Sequence, residues 1–224
     1  MKKKLVQLYG QAEAPMYISK LSKKDHVIEG PEEAVKRLYS AGRPCLNLEL
    51  RIVNENVEDV GTGEIGEVIV RGVHIMEGYW NLPEATAEVL RDGWIYTGDL
   101  GYFDSKGFIF LVDRKKDMII SGAFNIFPKE IEDIIATHPA VKEVAVIGVP
   151  DEKWGESVKA IVSLKEGQKA TGEEIIDFCK QHLASYKKPK SVDFIDAIPK
   201  NPYGKVLKRE LREKYWAGEA RRVR

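Results

Sequence analysis

In Tyr96-Thr97-Gly98-Asp99-Leu100 a carboxylate sits beside a glycine. Strand-forming residues flank the stretch and put it on a loop between strands. There a carboxylate can accept hydrogen bonds from two adjacent hydroxyls, the pair that a ribose diol presents. On spacing alone, an aspartate that caps its own loop is the plainer reading. Arg114 and Lys116 follow close together. Arginine's planar fork of donors suits a ribose or a phosphate, and a charged residue in a short linker can absorb dihedral change while staying wet. A solvated linker is the competing reading. Ser121-Gly122-Ala123-Phe124-Asn125 holds a glycine that lets backbone approach a ligand and an asparagine suited to a left-handed turn. In isolation a simple β-turn accounts for it. Lys205 follows a loop rich in proline and glycine and precedes a helix. A lysine held out from a rigid loop is a point charge for a carboxylate or phosphate. The Gly204-Lys205 pair is not a phosphate-cradling loop, because the upstream glycine and the following Ser or Thr are missing. Near the start, Tyr9-Gly10-Gln11-Ala12-Glu13-Ala14-Pro15 closes a short apolar run with a carboxylate, Glu13, just past a strand tip.

The elements that must position these residues fall into two styles. The first half is rich in strands and turns. Residues 5–8 read as an inner strand ended by the turn through Pro15. Leu48, Leu50 and Ile52 alternate with polar neighbours, a half-buried strand, and Gly61, Gly63 and Gly66 precede another over 67–70. A short helix is predicted over 83–91, with Pro83 in its first turn and Asp92-Gly93 as its stop. Residues 102–112 read as a hairpin around Asp104-Ser105-Lys106-Gly107, and short strands at this spacing suggest a small barrel or curled sheet. The second half has a helix over 128–137, apolar strands over 144–149 and 158–164, and a capping-box pattern at Thr171-Gly172-Glu173-Glu174. A third strand over 191–198 and a helix carrying Leu207, Leu211 and Tyr215 complete it. The fold class is therefore mixed: a β-rich, barrel-like subdomain followed by a compact α+β domain. The charged stretch 113–117 marks the boundary, giving domains 1–115 and 116–224.

Composition narrows the function classes. The 224 residues are 43% hydrophobic and 31% charged, enough to bury real cores. Lys+Arg and Asp+Glu balance at 35 each, which argues against an electrostatic nucleic-acid binder. Basic clusters at Lys187, Lys188 and Lys190, and at Lys205, Lys208 and Arg209, read as solvated faces when taken alone. Cys45 and Cys179 make no disulfide framework, so a reducing, cytoplasmic setting is the default, and Cys179 falls on the apolar stripe of a helix. His26, His74, His138 and His182 lack metal-ligand spacing, so no zinc site is inferred. Met1-Lys2-Lys3-Lys4 imitates a signal n-region, but the apolar run after it is too short for an h-region, and no segment approaches the about 18 apolar residues of a membrane span.

Taken together and in order, these stretches closely resemble the carboxy-terminal part of the AMP-forming acyl-CoA synthetases, within the adenylate-forming ligase superfamily. The matching stretches are YGQAEAP at 9–15, GEIGEVIVRGVHIMEGYW at 63–80, DGWIYTGDLGYFD at 92–104, VDRKKDMIISGAFNIFPKEIE at 112–132, GVPDEKWGESVKA at 148–160, YKKPK at 186–190 and NPYGKVLKREL at 201–211. They cover essentially the whole chain, with a flavour of the medium- and long-chain fatty-acid or aryl-acid ligases.

The resemblance implies a fold, an activity and site residues. ATP and a carboxylic acid would give an acyl-adenylate and pyrophosphate, and coenzyme A would then displace AMP after the small domain turns about a hinge. Glu13 matches the family's magnesium-associated acid, and Tyr9 and Gly10 the wall beside adenine and acyl chain. Asp99 matches the ribose-binding aspartate, and Arg114 the arginine that also reaches the ribose. Lys116 takes the hinge position, Gly122 aligns with the loop lining the pantetheine tunnel, and Lys205 matches the lysine that steadies carboxylate and phosphate oxygens during adenylation. Ala12 replaces a usual threonine, and Ala123 and Phe124 replace a usual Gly-Glu pair, so that a phenylalanine would narrow the pantetheine path or pack at the interface. The family's Ser/Thr/Gly-rich phosphate loop, which lies upstream of the YGQAEAP-like turn, has no match here. The chain is therefore expected not to adenylate alone, to pair with a complementing amino-terminal half, or to serve as a non-catalytic nucleotide- or CoA-binding module or an inactive product. A strand over 5–8 without its sheet is expected to self-associate into a homo-oligomer or to be disordered.

Overall fold

Period-two alternation and glycine-bearing turns make the first half of the chain a set of antiparallel ribbons. The computed structural model describes residues 5–217. The lysine-rich start, Met1-Lys2-Lys3-Lys4, lies outside the described residues. The chain divides between Val112 and Asp113 into two units.

The first unit holds two sheets. In one, β1 (Gln7–Gln11), β2 (Ala14–Leu21) and β3 (Arg43–Pro44) run antiparallel in that order. Here the sequence reading needs correction. Residues 5–8 are not an inner strand closed by Pro15. The strand begins at Gln7, turns at Ala12 and Glu13, and Pro15 lies inside β2. Pro15 sits next to the irregular end of the pairing, where a missing N–H does least damage. Within the chain β1 is an edge, and Leu5, Val6 and Leu8 are exposed. Between β2 and β3 lies α1 (Glu32–Lys36).

The second sheet of this unit is built from β4 (Leu48–Val53), β5 (Gly66–Gly72), β6 (Leu90–Arg91), β7 (Trp94–Phe103) and β8 (Ile109–Arg114), ordered β4-β5-β7-β6 with β8 also on β7. The helix expected over 83–91 is α2 (Pro83–Val89), and its last two residues join β6. Asp92 (φ +50°) and Gly93 (φ +77°) are the reason. Two successive left-handed residues form the hairpin turn that pairs Arg91 with Trp94, so the same dipeptide that stops the helix starts a ribbon. Ala14, Ile18, Ile52, Val68, Val70 and Ile95 form the core.

In the second unit one sheet is covered on both faces. Its strands are β9 (Ile119–Ser121), β10 (Phe124–Ile126), β11 (Val141–Asp151), β12 (Gly155–Leu164) and β13 (Ser191–Phe194). The order is β10-β9-β12-β11, with β13 parallel on β12. Its helices are α3 (Pro128–Ala136), α4 (Gly172–Lys180) and α5 (Lys208–Glu213). Val146, Val158, Ala160 and Val162 pack with Ile131 and Ile135 of α3 and with Ile175 and Cys179 of α4. Ala145, Ile147 and Ile161 pack with Ile198 and Leu211 on the opposite face. A sheet buried on both sides reads as a near-continuous apolar run, as residues 144–149 do, whereas Lys159 and Ser163 interrupt residues 158–164. Thr171 closes the expected capping box: its Oγ1 accepts from Glu174 N at 3.2 Å, and its N–H donates to Glu174 Oε2 at 2.7 Å. No helix among the described residues is long and apolar enough to cross a membrane.

Asp193 on β13 gathers several of this unit's charges. Lys159 Nζ approaches it at 2.6 Å and Lys214 Nζ at 3.7 Å, and the Tyr215 hydroxyl donates to Oδ2. Burial pushes its carboxyl up, yet the hydrogen bonds from Lys159 and Tyr215 and the two lysine charges outweigh that and hold it below its ordinary value. A carboxylate whose folded pKa lies below its unfolded value of about 3.9 stabilises the fold above that pH, and the contribution is lost as pH falls through the folded pKa. Asp193→Asn is therefore expected to cost about 1–2 kcal/mol at pH 7, discounted for the partial exposure of the carboxylate. The gap from wild type should narrow at pH 3. Urea midpoints at the two pH values measure it, and an equal gap at both would contradict the assignment.

Candidate functional site

Two carboxylates of the first unit are each held by a tyrosine from a distant part of the chain. Asp99 is only 7% exposed. It does not lie on a loop, as the glycine beside it suggested, but within β7. Glu67 pairs with Leu100 and Ile69 with Tyr96, so Thr97, Gly98 and Asp99 stand opposite the single residue Val68. Gly98 takes φ +68° to make this bulge, which re-aims the side chains beside it. Thr97 Oγ1 braces it, donating to Val68 O at 2.7 Å and accepting from Asp99 N at 3.1 Å. The Tyr9 hydroxyl donates to Asp99 Oδ2 at 2.5 Å. Gly10 sits where the β1–β2 register shifts, between Tyr9 and Gln11.

Glu13 occupies the β1–β2 turn. Its main-chain oxygen accepts from Met76 N at 2.8 Å, and its Oε1 accepts from the Tyr79 hydroxyl at 2.6 Å. The bond to Glu13, then burial, then the carboxylate charge push the Tyr79 hydroxyl up to about 12. Reading from sequence missed Tyr79. The only signal was its place in Gly78-Tyr79-Trp80, since a contact across 66 positions leaves no periodic trace.

The other sequence-selected residues belong to the second unit and lie on separate elements. Arg114 closes β8, and its main-chain N–H donates to Asp113 Oδ1 at 2.7 Å. Asp113 Oδ2 accepts from Lys129 N at 2.8 Å, serving the first turn of α3 as a side-chain cap would. Lys116 is exposed in a short 3-10 turn, Lys115–Asp117. Asp117 Oδ1 accepts from Arg212 Nη1 at 2.8 Å, with both side chains 13% exposed. The stretch 113–117 is thus fastened to its own unit at both ends.

Gly122 and Ala123 turn β9 into β10, with Ser121 opposite Phe124. Gly122 has φ +61°, its N–H donates to Trp154 O at 2.8 Å, and a Cβ there would fall 2.8 Å from Trp154 Cε3. Backbone hand and available space both require glycine. The Phe124 ring stacks on Tyr186 at 4.4 Å between centroids, within the unit. Lys205 is presented by a closed loop. Lys200 bridges to Val206, and Asn201 Oδ1 accepts from Tyr203 N at 3.0 Å and Lys205 N at 2.9 Å. Gly204 takes φ +82°. The nearby Lys208 pairs with Glu132 at 2.7 Å, and Lys200 pairs with Glu143. The exposed Lys205 ammonium has no partner among the described residues.

The sequence profile of the AMP-binding enzymes matches residues 1–80, and that of the AMP-binding enzyme C-terminal domain matches residues 130–205. The chain belongs to the AMP-binding enzymes. It is similar to a medium/long-chain fatty-acid–CoA ligase of Mycobacterium tuberculosis, 45% identical over 97% of this chain and 38% of that protein. A feruloyl-CoA synthase of Amycolatopsis is 44% identical over 94% of this chain and 41% of that protein. Among solved structures, ATP-bound MatB of Rhodopseudomonas palustris superposes with a TM-score of 0.82 at 34% identity, covering 94% of this chain and 40% of that one. The o-succinylbenzoate CoA synthetase of Bacillus subtilis, in complex with its acyl-adenylate intermediate, gives 0.81 at 35% identity, covering 98% and 42%. The chain thus spans about two-fifths of the length of these AMP-binding enzymes.

Proposed function

We propose that this chain forms part of an AMP-forming acid–thiol ligase, which activates a carboxylic acid, of fatty-acid type, with ATP and passes the acyl group to coenzyme A. The supporting observation is the meeting of Tyr9 and Asp99. Two residues 90 positions apart, each matched to the nucleotide site by resemblance alone, touch at 2.5 Å. Asp99 accepts from the ribose hydroxyls, Tyr9 and Gly10 wall the adenine, and Arg114 adds its donors to the ribose. Lys205 neutralises charge that builds on carboxylate and phosphate oxygens as the acyl-adenylate forms. Lys116 is the hinge about which residues 116–224 exchange Lys205 for the Gly122 turn, which lines the pantetheine path. Lys205 must leave because the thiol attacks the same carbonyl.

Glu13 is the acid associated with magnesium. No group of three His, Cys, Asp or Glu side chains that could enclose a cation occurs among the described residues. The donors present suit magnesium as one carboxylate beside substrate phosphates, a common way of holding that ion in nucleotide sites. When bound, it offsets phosphate charge as pyrophosphate departs.

The test mixes this chain with a separately produced phosphate-loop half of a related ligase and measures pyrophosphate release. Release is expected only with both parts and a carboxylic acid present. Release that ignores the acid, or none from parts shown to associate, overturns the reading.

A further inference from the structure

Tyr79 is seated before it reaches Glu13. Its N–H donates to Thr86 Oγ1 at 2.9 Å, Thr86 Oγ1 donates to Leu82 O at 2.9 Å, and Leu82 N donates to Tyr79 O at 3.2 Å. Thr86 Cγ2 stands 3.0 Å from where a Cβ on Gly78 would be, so the residue before the tyrosine has room for little but glycine. The start of α2 therefore fixes the tyrosine's backbone. The same loop holds Glu13 twice, through Met76 N to its main-chain oxygen and through the Tyr79 hydroxyl to Oε1. Oε2 of Glu13 has no partner among the described residues.

The terminal torsion of a glutamate is broad and roughly two-fold. A phenol bound to one oxygen removes that freedom and leaves the other oxygen with a defined direction. We propose that Tyr79 is a positioning residue that locks the Glu13 carboxylate through Oε1 and leaves Oε2 as the single oxygen offered to a magnesium-bound phosphate. This rests on the role proposed above for Glu13. Thr86 and Tyr79 thus act on the site without touching substrate. Groups that orient a metal-associated ligand change metal affinity by about 10–100-fold when removed.

Two measurements decide it. In the chain alone, side-chain scalar couplings of isotope-labelled Glu13, which read χ1 and χ2, are expected to report one rotamer in the wild type, as a carboxylate anchored at Oε1 requires, and averaging in Tyr79→Phe. An averaged Glu13 in the wild type overturns the proposal without any variant. In the mixture with a phosphate-loop half, Tyr79→Phe is expected to raise the magnesium concentration for half-maximal pyrophosphate release at least about tenfold, with the rate recovered at saturating magnesium. A merely structural tyrosine would lower the rate at every magnesium concentration alike, and that outcome also overturns the proposal. So does an unchanged magnesium dependence in Tyr79→Phe when Glu13→Gln is impaired. If Glu13→Gln is unimpaired, or the mixture is inactive, it is the ligase reading that fails, and the rotamer measurement still judges the lock.

Discussion

Lys205→Ala is expected to lower acyl-adenylate formation by about 10²–10³-fold, the usual effect of removing one group aimed at developing charge. Thioester formation from preformed acyl-adenylate should fall far less. The asymmetry follows from how the lysine is presented. Asn201 accepts from Lys205 N, Lys200 is bridged to Val206, and Gly204 makes the left-handed turn between them. The backbone is rigid while the ammonium is exposed and has no partner among the described residues. Lys208 and Lys200 carry charge nearby, but Glu132 and Glu143 already engage them. Neither can substitute for Lys205. Truncation removes no hydrogen bond that holds the loop, so the thermal midpoint should not move. Comparing pyrophosphate release with thioester yield from synthetic acyl-adenylate, in the reconstituted mixture, separates the steps. Equal losses in the two would remove Lys205 from the adenylation chemistry.

Whatever depended on neighbours in sequence was legible before the structure. The Thr171 capping box is a four-residue pattern, and it forms as written. The apolar runs of β11 and β12 read as strands, and the structure covers them on both faces, with α3 and α4 on one and α5 on the other. What failed depended on pairing across strands. Thr97-Gly98-Asp99 read as a loop because glycine and aspartate punctuate loops, yet a bulge needs the same residues and differs only in what lies opposite. Asp92-Gly93 read as a helix stop, and its role as a hairpin turn required Trp94 to find Arg91. At the candidate site the pattern repeats. Asp99 and Glu13 stood out by type, whereas Tyr79 did not, because nothing local distinguishes a tyrosine that donates across 66 positions from one that packs.

Asp99→Asn tests whether this bulge is built for a ligand or only for itself. The asparagine keeps the side-chain volume and one acceptor oxygen facing Tyr9, so the fold should tolerate it. Asp99 is 7% exposed, and its carboxylate accepts from the Tyr9 phenol through Oδ2. An amide carries no charge and presents donors where a diol also presents donors. A hydrogen bond to a charged group is worth about 1.5–3 kcal/mol, so the ATP concentration for half-maximal pyrophosphate release is expected to rise about 10–100-fold. Tyr9→Phe leaves the carboxylate in place and should raise it less. If Asp99 served only to cap its own strand, the order would change: Asp99→Asn would lower the melting midpoint and leave the ATP dependence alone. Thr97 discriminates further, because its hydroxyl bonds Val68 O and Asp99 N. Thr97→Val breaks the brace while sparing the carboxylate, so it should cost stability first and nucleotide affinity only through the resulting slack in Asp99.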